Sequence, residues 1–232
     1  MKYLGSHIKI NVNDKLFVKN PDSSVLGRRI VSEGILMIDD IGLEQFTFKK
    51  IANQLETTES SIYRYFENKH KFLLYIISYY WHCIDTLIIF NTANINEPEK
   101  QLEIVIEMLS TNALAKIDND GLNMEKLRKI VISESSKSYL TKQVEQENKE
   151  GLYLGFKQVC KRVTGFLDKI NPSYPYNKMM GTTIVEGILH QTFFSWHLPS
   201  LTNRSAGEEA VCIKHFFYQM AISTIKQKDN GH

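Results

Sequence analysis

The side chains best suited to chemistry crowd into one stretch, residues 47–66, TFKKIANQLETTESSIYRYF. Its second half gathers Thr58, Glu59, Ser60, Ser61, Tyr63, Arg64 and Tyr65, all with hydrogen-bonding tips. Such a set is suited to hydrogen-bonding base edges in a groove. Arginine pairs bidentately with guanine, and serine is permissive. Other chemistries find little footing. No nucleophile–base–orienter set, HExxH pattern or glycine-rich phosphate loop is visible. Cys83, Cys160 and Cys212 are odd in number and widely spaced, so lone thiols are expected rather than a disulfide framework or a zinc site. His190 and His197 fall on one helix face without further ligands beside them, so neither a metal nor a cofactor is expected.

To present such a set, two short helices must lock together and turn one polar edge outward. The pattern supplies them. Phe48, Ile51, Ala52 and Leu55 share one side of a helix over about 47–55, and a second helix follows from Thr58 to about Phe66. Ile51, Ala52 and Leu55 can pack against Ile62 and Phe66, and the small Ala52 lets the helices cross closely. That is the requirement of a helix-turn-helix. The second helix then fits the major groove, about 12 Å wide, and reads base edges from its N-terminal residues.

Helical periodicity dominates the rest of the chain. Ser23 or Ser24 caps a helix through about Asp40, ended by Ile41-Gly42. Asn68 caps another over 69–90. Further helices are expected at 98–117, 123–136, 139–170, 176–197 and 205–227, the fifth of these preceded by Leu198-Pro199-Ser200. Gly151, Gly155 and Gly165 can each kink or split the segment 139–170. The expectation is an all-α protein of about nine helices. It has an arm at 1–22, a DNA-binding three-helix head at 23–68 and a larger helical domain at 69–232.

The stretch Glu33-Gly34, Gly42, Phe46-Thr47-Phe48-Lys49-Lys50-Ile51-Ala52, Thr58 to Lys69 and Leu73 resembles the signature of the TetR (tetracycline repressor) family. That signature has a glycine after the first helix, a threonine opening the second and an Ile-Ala pair. A serine or threonine opens the third helix, followed by Tyr-x-x-Phe, a lysine three residues on and a leucine four beyond. The likeness covers about residues 25–75. It implies that Thr47 caps the second helix and offers its backbone to a phosphate, and that Thr58 opens the recognition helix. Tyr63 and Tyr65 would reach phosphates, and Lys69 would add its charge and tie the head to the next domain. Ser60, Ser61 and Arg64 would face base edges, with Lys49 at the backbone or groove edge. Two positions depart. Glu56 stands where the family has a turn glycine, so either the turn is built differently or it carries strain. Thr57 replaces a customary hydrophobic residue.

Beyond residue 75 the resemblance implies an effector-binding and dimerisation domain. Its last two helices would pair with a partner's through Ile184, Ile188, Val211, Phe217 and Met220. A two-fold homodimer presents recognition helices about 34–36 Å apart, one turn of double-stranded DNA, on a near-palindrome. Rings such as Tyr79, Tyr80, Trp81, Phe166, Phe193 and Trp196 suit core packing first, and an apolar or aromatic effector second. The net charge of +2 is uneven: residues 1–22 and 47–71 each carry +2 and residues 23–46 carry −2. A local excess of that size suits phosphate contact. The most apolar run, Phe72–Phe90, is broken by Ser78, His82 and Asp85 and suits a buried helix rather than a membrane span. Nothing in residues 1–20 suits a secretory signal, so a cytoplasmic location is expected. The competing readings are a helical enzyme or small-molecule carrier with a non-functional head, and a DNA-binding dimer without an effector.

Overall fold

A computed structural model describes residues 10–115, 121–203 and 208–226. Ten α-helices lie among them and no strand does. The first three are α1 (Val25–Gln45), α2 (Phe48–Gln54) and α3 (Glu59–Tyr63). Then come α4 (Lys69–Thr92), α5 (Pro98–Ser110), α6 (Met124–Tyr139) and α7 (Val144–Lys149). The last are α8 (Leu154–Ile170), α9 (Asn177–His197) and α10 (Glu209–Lys226).

Ser24 caps α1 by accepting from the Gly27 N–H. The expected stop at Gly42 is a kink: Gly42 takes φ 77° and the helix resumes to Gln45. The long helix expected over 139–170 divides into α7 and α8 at Gly151, which sits at φ 78°. A left-handed residue ends the hydrogen-bond ladder there, and glycine adopts it at little cost. The ends expected at 116–117, 205–207 and 227 lie outside the described residues.

The chain forms two compact units. One comprises Met1–Cys83 with Leu114–Phe156, the other Ile84–Ala113 with Lys157–His232. They cut across the division expected at residues 68 and 69, because α4 runs unbroken from Lys69 and gives its first part to one unit and its end to the other. Although α4 is long and apolar enough to cross a membrane, 83% of its most apolar window is buried inside the protein.

In the first unit, α1, α2, α3 and the start of α4 enclose Ile30, Ile35, Phe46, Ile51, Ile62, Phe66 and Phe72, each fully buried. Each is worth about 1.5–3 kcal/mol in burial. Helix α6 packs on α1, where Lys126 bonds Asp39. The arm turns twice on Asx motifs, with the Asn13 and Asn20 side chains accepting from Lys15 N and Asp22 N. It seals Leu16 at 0% exposure. In the second unit, α5 and α9 both pack on α10. Lys214 bonds Glu107 at 2.7 Å and Glu103 at 3.2 Å, and Arg162 pairs bidentately with Asp85 at 2.6 and 2.8 Å.

Candidate nucleic-acid interface

Helix α2 begins at Thr47, whose hydroxyl accepts from the Lys50 N–H at 3.2 Å. The helix has only seven residues, too short to persist alone, so its place is fixed by burial of Phe48, Ile51 and Ala52. The turn after it is a Schellman motif. The Glu56 N–H reaches the Asn53 carbonyl at 3.2 Å, and the Thr57 N–H reaches that of Ala52 at 2.9 Å. The motif needs a left-handed residue, and Glu56 supplies it at φ 54°. Of the two outcomes the sequence left open, the turn keeps the usual geometry and Glu56 carries the strain, of order 1 kcal/mol. Leu55, at 4% exposure, is buried beneath it.

Helix α3 opens at Thr58, whose Oγ1 accepts from the Ser61 N–H at 3.3 Å. The same oxygen meets the hydroxyls of Ser61 at 2.9 Å and Ser60 at 3.1 Å. These three hydroxyls thus form one small cluster at the head of α3, already oriented before any partner arrives. Ile62, at 0% exposure, holds the inner face of α3, which packs on α2, where Ala52 is buried at 2%. The outer face holds exposed Ser60, Tyr63 and Arg64 and half-buried Glu59 and Ser61. Tyr63 is 49% exposed, with its ring edge-on to Phe48 at 5.1 Å between centroids. The ring is held on one side while about half of the side chain stays at the surface. Lys49 and Thr47 are exposed on the neighbouring helix start.

Two of the expected contact residues are engaged inside the head. Tyr65 is only 5% exposed and its hydroxyl bonds the Ser24 hydroxyl at 2.8 Å, with the Lys19 ammonium 5.3 Å above its ring. It ties the head together internally and has no outward reach to a phosphate. The Lys69 ammonium bonds the carbonyls of Leu43 at 3.2 Å and Glu44 at 3.1 Å. Its charge sits on the C-terminal end of α1, where a cation is favoured.

Residues 30–76 match the family model of the bacterial regulatory proteins of the tetR family. Over that stretch the head is similar to the N-terminal domain of the tetR family. Most of the chain also resembles solved structures in fold. One is AibR in complex with isovaleryl coenzyme A and operator DNA, 17% identical, covering 83% of this chain and 96% of that one at TM-score 0.57. Another is the fatty acid degradation regulator FadR from Bacillus halodurans, 15% identical, covering 90% and 99% at 0.59. A third is the superantigen PfiT, 12% identical, covering 90% and 100% at 0.56. At these identities the likeness is one of fold, and fold alone does not dictate a role. No curated protein matches by sequence. The matched region ends inside α4, so it takes in the first turns of that helix as well as α2 and α3.

The arm's part in holding the head was missed by sequence reasoning. Its Val18 N–H donates to the Tyr65 carbonyl at 2.8 Å, and Phe17 meets Tyr75 edge-on at 6.1 Å. The two Asn-led turns were a readable signal for its course.

In the second unit, three residues expected at a subunit interface are buried within the chain itself: Ile184 and Ile188 at 0% and Phe217 at 3%. The Phe217 ring lies so close over Gly187 that a Cβ there would stand 2.6 Å from it. Val211 is 63% exposed and Met220 half-buried. Met179 and Phe216, at 68% and 54%, are exposed on the same two helices. Four of the rings considered for an effector pocket, Tyr79, Tyr80, Trp81 and Phe166, are core. A cavity of about 620 Å³ in this unit is lined by Gln191, Leu201, Ile213, His215 and Phe216 among others.

Proposed function

We propose that the chain is a sequence-specific, DNA-binding transcriptional regulator, a ligand-responsive repressor acting as a cytoplasmic homodimer on a near-palindromic operator. The observation that carries this is the helix α3: its inner face locked at Ile62, its outer edge of Ser60, Ser61, Tyr63 and Arg64 at the surface. In this reading residues 23–68 are the head and residues 69–232 the effector-binding and dimerisation domain. Arg64 pairs with a guanine edge, and the hydroxyl cluster of Thr58, Ser60 and Ser61 makes adaptable base contacts. Thr47, Lys49 and Tyr63 hold phosphates. Tyr65 and Lys69 are left out, since both are engaged inside the head.

The partner subunit meets the outer faces of α9 and α10 through Val211 and Met220, joined by Met179 and Phe216. The effector is an apolar or aromatic small molecule. The cavity of about 620 Å³ falls within the range small ligands fill. An effector shifts the regulator only by binding one spacing of the two heads better than the other.

The test is fluorescence anisotropy against DNA flanking the chain's own gene across a salt series. Sequence-selective binding is expected, with log affinity falling by about 0.9 per log salt for each phosphate neutralised. Arg64→Ala should relax specificity at one base pair by about 1–3 kcal/mol, and Lys49→Ala should weaken all sequences alike. Absence of any salt-sensitive, selective binding would overturn the proposal.

A further inference from the structure

Residues 1–22 carry a surplus of +2, and the DNA-facing set from Thr47 to Arg64 draws on none of it. Two of the arm's lysines lie among the described residues, Lys15 and Lys19, and both are exposed. They serve different neighbours. Lys15 acts on Glu150, whose carboxyl is held below its ordinary value by a hydrogen bond from Gln146 and by the charges of Lys15 and Lys71. Lys19 stands over the ring of Tyr65, 5.3 Å from its centroid. Tyr65 follows directly on Arg64, the residue that caps the end of α3. All these residues belong to the first compact unit.

The arm is pinned on both sides of Lys19. Before it, the Val18 N–H donates to the Tyr65 carbonyl at 2.8 Å. After it, the Asn20 side chain accepts from the Asp22 N–H at 2.9 Å, and the Asp22 carbonyl accepts from Arg28 Nη1 at 2.7 Å. The Tyr65 ring is itself fixed through the Ser24 hydroxyl, 2.8 Å from its own. The Asp22 charge acts toward α4, where it joins burial in raising the Tyr75 phenol. Among the described residues no carboxylate lies within ion-pair distance of the Lys19 ammonium. A lysine whose stem rests on a ring keeps its charge for the surface, and it has already given up part of the rotamer freedom that binding would cost.

We propose that Lys19 contacts a backbone phosphate of the duplex that α3 faces, so that the arm extends the DNA-binding surface past the end of the recognition helix. A helix seated in the major groove has a sugar–phosphate strand on either side, and a cation fixed beside its end meets phosphates rather than base edges. This contact rests on the reading of α3 as the DNA-facing helix.

The experiment is fluorescence anisotropy of the full chain on a mixed-sequence DNA duplex across a salt series. Every sequence carries the phosphates, so the result does not depend on an operator. Lys19→Gln is expected to weaken binding and to lower the slope of log affinity against log salt by about 1. Lys19→Arg keeps the charge and should keep the slope. Lys15→Gln removes the same charge from the part of the arm that serves Glu150, and should leave the slope as it was. An unchanged slope in Lys19→Gln, an equal fall in Lys15→Gln, or a Lys19→Arg protein that falls as far as Lys19→Gln would each overturn the contact while leaving α3 its duplex. No salt-sensitive binding by the unaltered chain would defeat the contact and the reading of α3 together.

Discussion

Glu56 holds a backbone conformation that a side chain disfavours, so replacing it should be measurable. Glu56→Gly is expected to raise stability by up to about 1 kcal/mol, the relief of φ 54° being partly offset by a freer unfolded chain. Glu56→Ala keeps the strain and should give no such gain; urea unfolding midpoints of the three proteins decide it. The sequence showed this position as an anomaly and could not say which way it resolved, because strain and an altered turn leave the same letter in place. Tyr65 shows the opposite limit. Its type and spacing suit a phosphate contact, and only the Ser24 hydroxyl across the head reveals that it faces inward. Thiols give another residue-level expectation. Burial pushes the Cys160 thiol up to about 12, so little thiolate exists at neutral pH. Cys83 is also buried, whereas Cys212 is partly accessible. A disulfide-exchange reagent should therefore label one thiol quickly, Cys212, and the other two only as the protein unfolds; three fast thiols would contradict the packing.

Helices carry their identity in periodicity, which is why α1 to α4 and the paired α9 and α10 were legible before any coordinates. Their junctions were less so. The division of the 139–170 segment depended on which of three glycines takes a left-handed conformation, and only Gly151 does. Ile184, Ile188 and Phe217 of α9 and α10 are buried within the chain, a placement the sequence could not give because an apolar seam within one chain and a seam between two chains look alike in it. At this scale α1 depends on the arm: a Cβ on Gly27 would stand 2.2 Å from the Pro21 carbonyl oxygen, a backbone atom that cannot swing aside. Gly27→Ala should cost about 1–3 kcal/mol in urea unfolding. The α5–α10 pairing should respond to pH. Hydrogen bonds from Lys100 and Lys214 hold the Glu103 carboxyl below its ordinary 4.5. A depressed pKa stabilises above the unfolded value and is lost as pH falls through the folded one. The helix pair should therefore weaken below about pH 4.5, and Glu103→Gln should flatten that part of the stability profile. An unchanged profile would mean the ion pairs hold nothing together.

For the whole molecule the decisive question is assembly. If the outer faces of α9 and α10 meet a second copy, Val211→Asp should shift the sedimenting species from dimer to monomer while leaving the helical signal intact. Phe217→Ala should do the reverse, costing about 3–5 kcal/mol of stability with the association state kept in whatever remains folded. Analytical ultracentrifugation beside thermal melts separates the two, and a Val211→Asp protein that stays dimeric would move the interface elsewhere. One feature at the edge of the head has a reach that its size conceals. The bond from the Val18 N–H to the Tyr65 carbonyl joins main chain to main chain. Nineteen of the twenty amino acids can make it and only proline cannot, so the tether leaves no mark on residue identity. Two proteins with unrelated arms could share it, and two with similar arms could lack it, which makes it a restraint that shape preserves and spelling does not record.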